Sequence, residues 1–164
     1  MKPEREHVTN NGQTYFVTAS TWERRELFRN PQWAELFLNT LRSYRGRGYL
    51  LHDYVLMPDH FHALITPEET LERAVQFIKG GFSFRAKKEL GSSMEIWQRG
   101  FSDHRIRDWE DFEIHVDYIL RNPVGRKLVE RAAEYPYCSA FPGSVKDEVP
   151  QLSGTAEAVP FQSR

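Results

Sequence analysis

The sequence predicts an α+β fold, a largely antiparallel sheet covered by helices, and three observations predict it. Strand-like and helix-like patterns follow in the order strand, helix, strand, strand, helix, strand, helix. The two central strands are separated only by Pro58-Asp59, a connection that suits a hairpin and is too short for a parallel crossover. A strand, a helix and that hairpin in succession give a split βαβ arrangement.

Each element has its own signal. Gln13 to Trp22 is rich in β-branched and aromatic residues after the turn Asn10-Asn11-Gly12, and reads as the first strand. Asn30-Pro31 reads as a helix cap with Pro at the first helical position. Trp33, Leu36, Phe37, Leu41 and Tyr44 follow at helical spacing, and Gly46 and Gly48 end that helix. Tyr49 to Met57 and His60 to Thr66 form the hairpin. Pro67 and Thr70 open a second helix with Leu71, Ala74, Val75, Phe77 and Ile78 on its buried side, and Gly80-Gly81 is expected to interrupt it before Phe82 to Leu90. Ile96 to Arg107 is the fourth strand. Asp108 caps a last main helix from Trp109 to about Arg121, which Asn122-Pro123 is expected to end, because the residue before Pro avoids helical angles. A short helix over Gly125 to Glu134 follows. The pattern gives one domain over residues 1–141 and a poorly ordered tail over 142–164 with little core to offer.

Composition narrows the function classes. A chain of 164 residues with 40% hydrophobic and 13% aromatic residues is a globular domain, not a disordered one. Its 22 basic and 23 acidic residues nearly cancel, so a uniformly basic nucleic-acid coat is excluded and a local basic patch is not. No apolar run reaches the ~20 residues of a membrane span. The charged start Met1 to His7 lacks a secretory core, and the single Cys138 forms no internal disulfide; a cytoplasmic setting is expected.

His60-Phe61-His62 carries the chemistry. In a strand, residues i and i+2 share a face, so both imidazoles stand together while Phe61 points to the core. Such a pair can hold a divalent ion, though two alternate histidines are also found simply hydrogen-bonded at a surface. On the last helix, Tyr118 and Asn122 are one turn apart on one face. Asn122 offers a hard carbonyl oxygen suited to Mg²⁺ or Mn²⁺, and histidine nitrogens favour Mn²⁺. A core tyrosine and a helix-stopping Asn-Pro are the plain readings of the same residues. His115 and Asp117 are read as pointing away from Tyr118.

Four segments in order then carry a resemblance. Met57-Pro58-Asp59-His60-Phe61-His62-Ala63-Leu64-Ile65 resembles the His-hydrophobic-His motif of single-tyrosine HUH transposases. Trp97 to Arg107 is similar to the block before that family's catalytic helix, Tyr118 to Val124 to its Tyr-x-x-x-Asn-Pro-Val, and Tyr135 to Ser139 to its closing segment. The Asn-Pro-Val form points to the REP-associated tyrosine transposases. The resemblance covers about residues 13 to 141. It implies a ferredoxin-like fold and a metal-dependent single-stranded DNA nuclease and strand transferase acting near hairpins of repetitive extragenic palindromes. It places Tyr118 as nucleophile and His60, His62 and Asn122 as ligands of Mg²⁺ or Mn²⁺. Attack by a tyrosine would leave a 5′-phosphotyrosine and a free 3′-hydroxyl. A free phenol, with pKa about 10, is a poor nucleophile at neutral pH and needs the phosphate polarised.

Single-stranded DNA with a hairpin is the expected partner, taken by a monomer or a homodimer. Between Lys79 and Arg107, seven basic residues stand against three acidic ones, interleaved with Phe82, Phe84, Trp97 and Phe101. That is the composition of a single-strand binder, with Lys79, Arg85, Lys87, Arg99 and Arg105 as candidate DNA contacts. Phe84 and Trp97 read equally as stacking rings or as core. Arg42, Arg45 and Arg47 form another basic cluster, and the tail from Pro142 is not a basic arm. Two other readings stay open: a non-cleaving single-strand binding module of the same fold, and a hydrolase in which His60, His62 and a carboxylate hold Zn²⁺.

Overall fold

The computed structural model describes residues 12–150 and 152. The start of the chain, including Asn10-Asn11 of the expected first turn, and most of the tail beyond residue 150 lie outside them. The element order is β1 (Tyr15–Ser20), α1 (Pro31–Ser43), β2 (Tyr49–Met57), β3 (His60–Pro67), α2 (Leu71–Leu90), β4 (Ser102–Arg105) and α3 (Trp109–Gly125). The four strands form one antiparallel sheet in the order β2-β3-β1-β4, so β3 lies between the two strands that α1 connects. This is the split βαβ arrangement expected from the sequence.

Local chemistry sets the helix starts. The Asn30 side chain accepts from the Gln32 N–H at 2.9 Å, Thr70 from Arg73 at 3.1 Å, and Asp108 from Asp111 at 2.8 Å. Strand alternation then divides the core in two. Val17, Ala19, Phe61, Ala63 and Ile65 face α1 and α2, with Phe28, Phe37, Phe82 and Trp97 closing an aromatic cluster. Val55, Met57 and Leu64 face α3, packing against Phe112, Val116 and Ile119. The site residues belong to this second face.

Several boundaries differ from expectation. α2 runs unbroken through Gly80 and Gly81. Gly81 answers a packing need: a Cβ there would meet the Tyr44 hydroxyl at 2.9 Å, where the end of α1 approaches. The fourth strand shrinks to four residues, because Ile96 and Trp97 turn into the core and Gly100 takes φ +75. α3 continues past Asn122-Pro123 to Gly125. In the last turn Pro123 removes only one intrahelical bond and is itself buried, while the Asn122 and Pro123 carbonyls accept from Arg126 and Leu128. The expected helix over 125–134 is a 3-10 turn at Ala132–Glu134, since Lys127 takes φ +59 and leaves helical space.

Residues 137–147 run along the outer edge of β2. Leu56 N–H donates to the Tyr137 carbonyl at 2.8 Å, Asp147 N–H to Leu51 at 2.7 Å, and Leu51 N–H to Asp147 Oδ2 at 2.8 Å. The Ser139 hydroxyl donates to Asp53, and Arg45 pairs with Asp147. A sheet edge that would otherwise expose unpaired backbone is thereby covered, so the tail is tied down as far as its described part extends.

Candidate active site

His60 and His62 project from the α3 face of β3, as strand alternation requires, while Phe61 lies in the opposite core. Both imidazoles are buried, with ring centroids 4.8 Å apart. Their polar contacts hold them differently. His60 Nδ1 is 2.7 Å from Asp59 Oδ1, whose other oxygen accepts from Arg24 Nε at 2.9 Å. His62 Nδ1 is 2.7 Å from the Thr18 hydroxyl, directly across the ladder on β1. His62 Nε2 is buried and makes no hydrogen bond among the described residues. Burial pushes the His62 imidazole down to about 3, and His60 and Arg24 add to the shift. His60 is also lowered by burial, offset by Asp59 and reinforced by the charges of Arg24 and Arg126. Both rings are therefore neutral at pH 7, the form that donates a lone pair.

Tyr118 comes from α3 to meet them. Its ring lies 5.2 Å from His62, nearly edge-on, and it is half exposed. Phe16 of β1 stacks on His62 at 5.2 Å and touches Tyr118 at 5.8 Å, giving both rings one platform. Asn122 follows one turn later on the same face, its Nδ2 donating to the Tyr118 carbonyl at 3.0 Å, which leaves Oδ1 as the acceptor atom. A neutral imidazole pair with one unsatisfied buried nitrogen beside an accessible phenol, and an amide oxygen one turn along α3, are donor types that fit a divalent ion.

The phenol and the imidazole pair meet within this chain, which is similar in sequence and fold to known proteins. Residues 9–122 match the family model described as Transposase IS200 like. A REP-associated tyrosine transposase of Escherichia coli is 30% identical over 129 residues, 77% of this chain and 75% of that protein. The chain belongs to the REP-associated tyrosine transposases of the IS200-like family. A relative of the same description from Haemophilus influenzae is 36% identical over 106 residues, 57% of this chain and 60% of its own length. A solved REP-associated tyrosine transposase bound to a REP hairpin matches with a TM-score of 0.69 and 25% identity, over 93% of this chain and 95% of that one. REP-associated tyrosine transposases nick and rejoin DNA.

The basic residues singled out in the sequence of this transposase take several different places. Arg105 sits opposite Tyr15 in the ladder and so points to the α1/α2 face, away from His62. Lys79 donates to the Gln98 and Gly100 carbonyls at 2.9 and 2.7 Å, and Arg85 binds Glu89 and Asn39. Lys87 and Arg99 are exposed on α2 and on the loop before β4. Trp97 is core, whereas Phe84 is 67% exposed.

His115 corrects the sequence reading. It lies on the Tyr118 side of α3, touching Phe16 at 4.7 Å, as i−3 spacing should have indicated. With His104 and Asp111 it forms a cluster whose polar atoms lie within 4.8 Å of one another. His104 Nε2 is 2.8 Å from Asp111, which also accepts from the Arg107 N–H, so the cluster ties β4 to the start of α3. Phe16, Thr18 and Arg24 carried no signal of their own. Only Asp59, adjacent to His60, was within reach of sequence reasoning. Phe16 and Thr18 needed the strand register, and Arg24 the turn after β1.

Proposed function

We propose that this transposase cleaves and rejoins single-stranded DNA beside palindromic hairpins, with Tyr118 as the nucleophile and His60, His62 and Asn122 holding Mg²⁺ or Mn²⁺. The observation that carries this reading is the meeting of an exposed phenol with a buried imidazole whose Nε2 lacks a hydrogen bond. A satisfied core histidine would not leave that atom bare. A divalent ion bound there supplies Lewis-acid polarisation of the phosphodiester. The protein's own residues do the rest. With Nε2 as the ligating atom of each ring, His62 Nδ1–H would donate to the Thr18 hydroxyl and His60 Nδ1–H to Asp59, contacts that orient both rings. Phe16 holds the phenol ring beside His62. The Tyr118 oxygen bonds to phosphorus as the P–O3′ bond breaks, the phenol gives up its proton to solvent, and the departing oxygen takes one up to become a 3′-hydroxyl. The phosphotyrosine ester retains the bond, so a later 3′-hydroxyl attacks it and releases the phenol without ATP.

The hairpin partner is supported by the likeness to the solved relative bound to a REP hairpin. The approach of the Tyr118 ring to His62 within one chain supports a monomer that works alone. No helix among the described residues is long and apolar enough to cross a membrane.

Covalent capture tests the reading. With Mn²⁺ and a single-stranded oligonucleotide carrying a REP hairpin, the wild-type protein is expected to form an SDS-resistant DNA adduct, and Tyr118→Phe none. An adduct surviving that substitution would refute the nucleophile. Tight binding with no adduct from the wild type would favour a non-cleaving binding module.

A further inference from the structure

Arg24 lies outside every motif, yet the fold takes trouble to place it. Glu23 and Arg24 both adopt φ +55, a left-handed conformation that non-glycine residues take only at a cost. The turn is pinned from several sides: Thr21 N–H donates to the Asp59 carbonyl at 2.9 Å, its hydroxyl to Arg25 at 2.7 Å, and Trp22 N–H to Ile96 at 2.8 Å. The result is a guanidinium anchored by Nε on Asp59 at 2.9 Å and by Nη1 on Ser20 Oγ at 3.0 Å. Ser20 faces His60 across the ladder, and Asp59 holds His60. The anchored side chain is still 56% exposed, and no hydrogen bond among the described residues uses Nη2. A solvated surface arginine needs neither strain nor two anchors.

We propose that Arg24 is a phosphodiester seat: the outer edge of its guanidinium binds an oxygen of the DNA phosphate that Tyr118 attacks. This rests on the nuclease reading and adds a residue to it. A pre-oriented guanidinium beside the imidazole pair supplies fixed positive charge where the transferring phosphate gains negative charge. Arg24 touches the substrate, and Asp59 acts as a positioning residue for His60.

The test separates the two roles. In EDTA, on a Tyr118→Phe background, binding of a REP hairpin with a 5′ single-stranded flank is measured against salt. Mn²⁺ affinity of the DNA-free protein is measured by electron paramagnetic resonance. Arg24→Gln is expected to flatten the slope of log affinity against log salt by about 0.7, one single-strand phosphate contact. It should leave Mn²⁺ affinity within about threefold and, with Tyr118 intact, slow adduct formation about 100-fold. Asp59→Asn is expected to do the reverse, keeping the slope and weakening Mn²⁺ binding about 10- to 100-fold. An unchanged slope in Arg24→Gln overturns the proposal, as does a loss of Mn²⁺ affinity matching that of Asp59→Asn. If the parent forms no adduct, the nuclease reading fails, while the salt slope still decides whether Arg24 seats a phosphate.

Discussion

His52 and His62 are buried imidazoles on adjacent strands, and they differ in one bond. His52 has partners on both ring nitrogens, the Asp147 carbonyl and the Thr66 hydroxyl. It is the satisfied core histidine that a lone His in a strand usually is. His62 has a partner on Nδ1 alone. The i, i+2 spacing of His60 and His62 was legible in the sequence, but not the hydroxyl that fixes one ring, because Thr18 comes from a strand 44 residues away. His52 also gives a pH dependence. Burial pushes it from 6.5 down to about 4 despite the bond to Asp147. Between those values the unfolded chain binds a proton that the folded chain does not. Its contribution to stability is therefore fully present above about pH 6.5 and is lost as pH falls toward 4. The urea midpoint of the wild type is expected to fall between pH 7 and 5. His52→Gln should be less stable at pH 7 but flatter over that range, and an equally steep fall in the variant would contradict this account.

Helices α2 and α3 show where local rules give way to packing. Gly-Gly in α2 and Asn-Pro in α3 are sound stop signals taken alone. Each is overridden by neighbours invisible in the local sequence: Tyr44 lies against Gly81, and the core takes in Pro123. The starts of both helices were legible because capping is local. The two glycines of α2 separate propensity from packing. A Cβ at Gly80 meets nothing nearer than 3.9 Å, so Gly80→Ala is expected to stabilise by about 0.5–1 kcal/mol. At Gly81 the same helix gain is opposed by a 2.9 Å contact with the Tyr44 hydroxyl. That ring stacks on Phe77 at 4.9 Å and yields only by disturbing the stack. Gly81→Ala should be near neutral, and Gly81→Val should cost about 1–3 kcal/mol by overpacking. Urea titration of the three variants checks the order. Equal gains from both alanines would mean that Tyr44 does not constrain α2.

At the scale of the whole molecule, the sheet separates two chemistries. Its α1/α2 face is packed with aromatic rings, and among the singled-out basic residues Arg105 points that way. Its α3 face carries the imidazole pair, Phe16 and the phenol. Composition revealed a basic, aromatic stretch between Lys79 and Arg107, but not its position, because a stretch that turns from α2 through a core tryptophan to an edge strand does not present one surface. The order of motifs did reveal the active face, since a hairpin strand and a last helix are where a split βαβ fold brings distant segments together. What the sequence left open was whether one chain supplies both halves of the site. The Tyr118 and His62 rings lie 5.2 Å apart within a single chain, and we propose that one chain supplies both. Mixing two inactive variants, Tyr118→Phe and His62→Ala, tests this most directly. A site built in one chain leaves the mixture as unable to form the DNA adduct as either variant alone, whereas adduct restored to a sizeable fraction of the wild-type level would show that the phenol and the imidazoles come from different subunits.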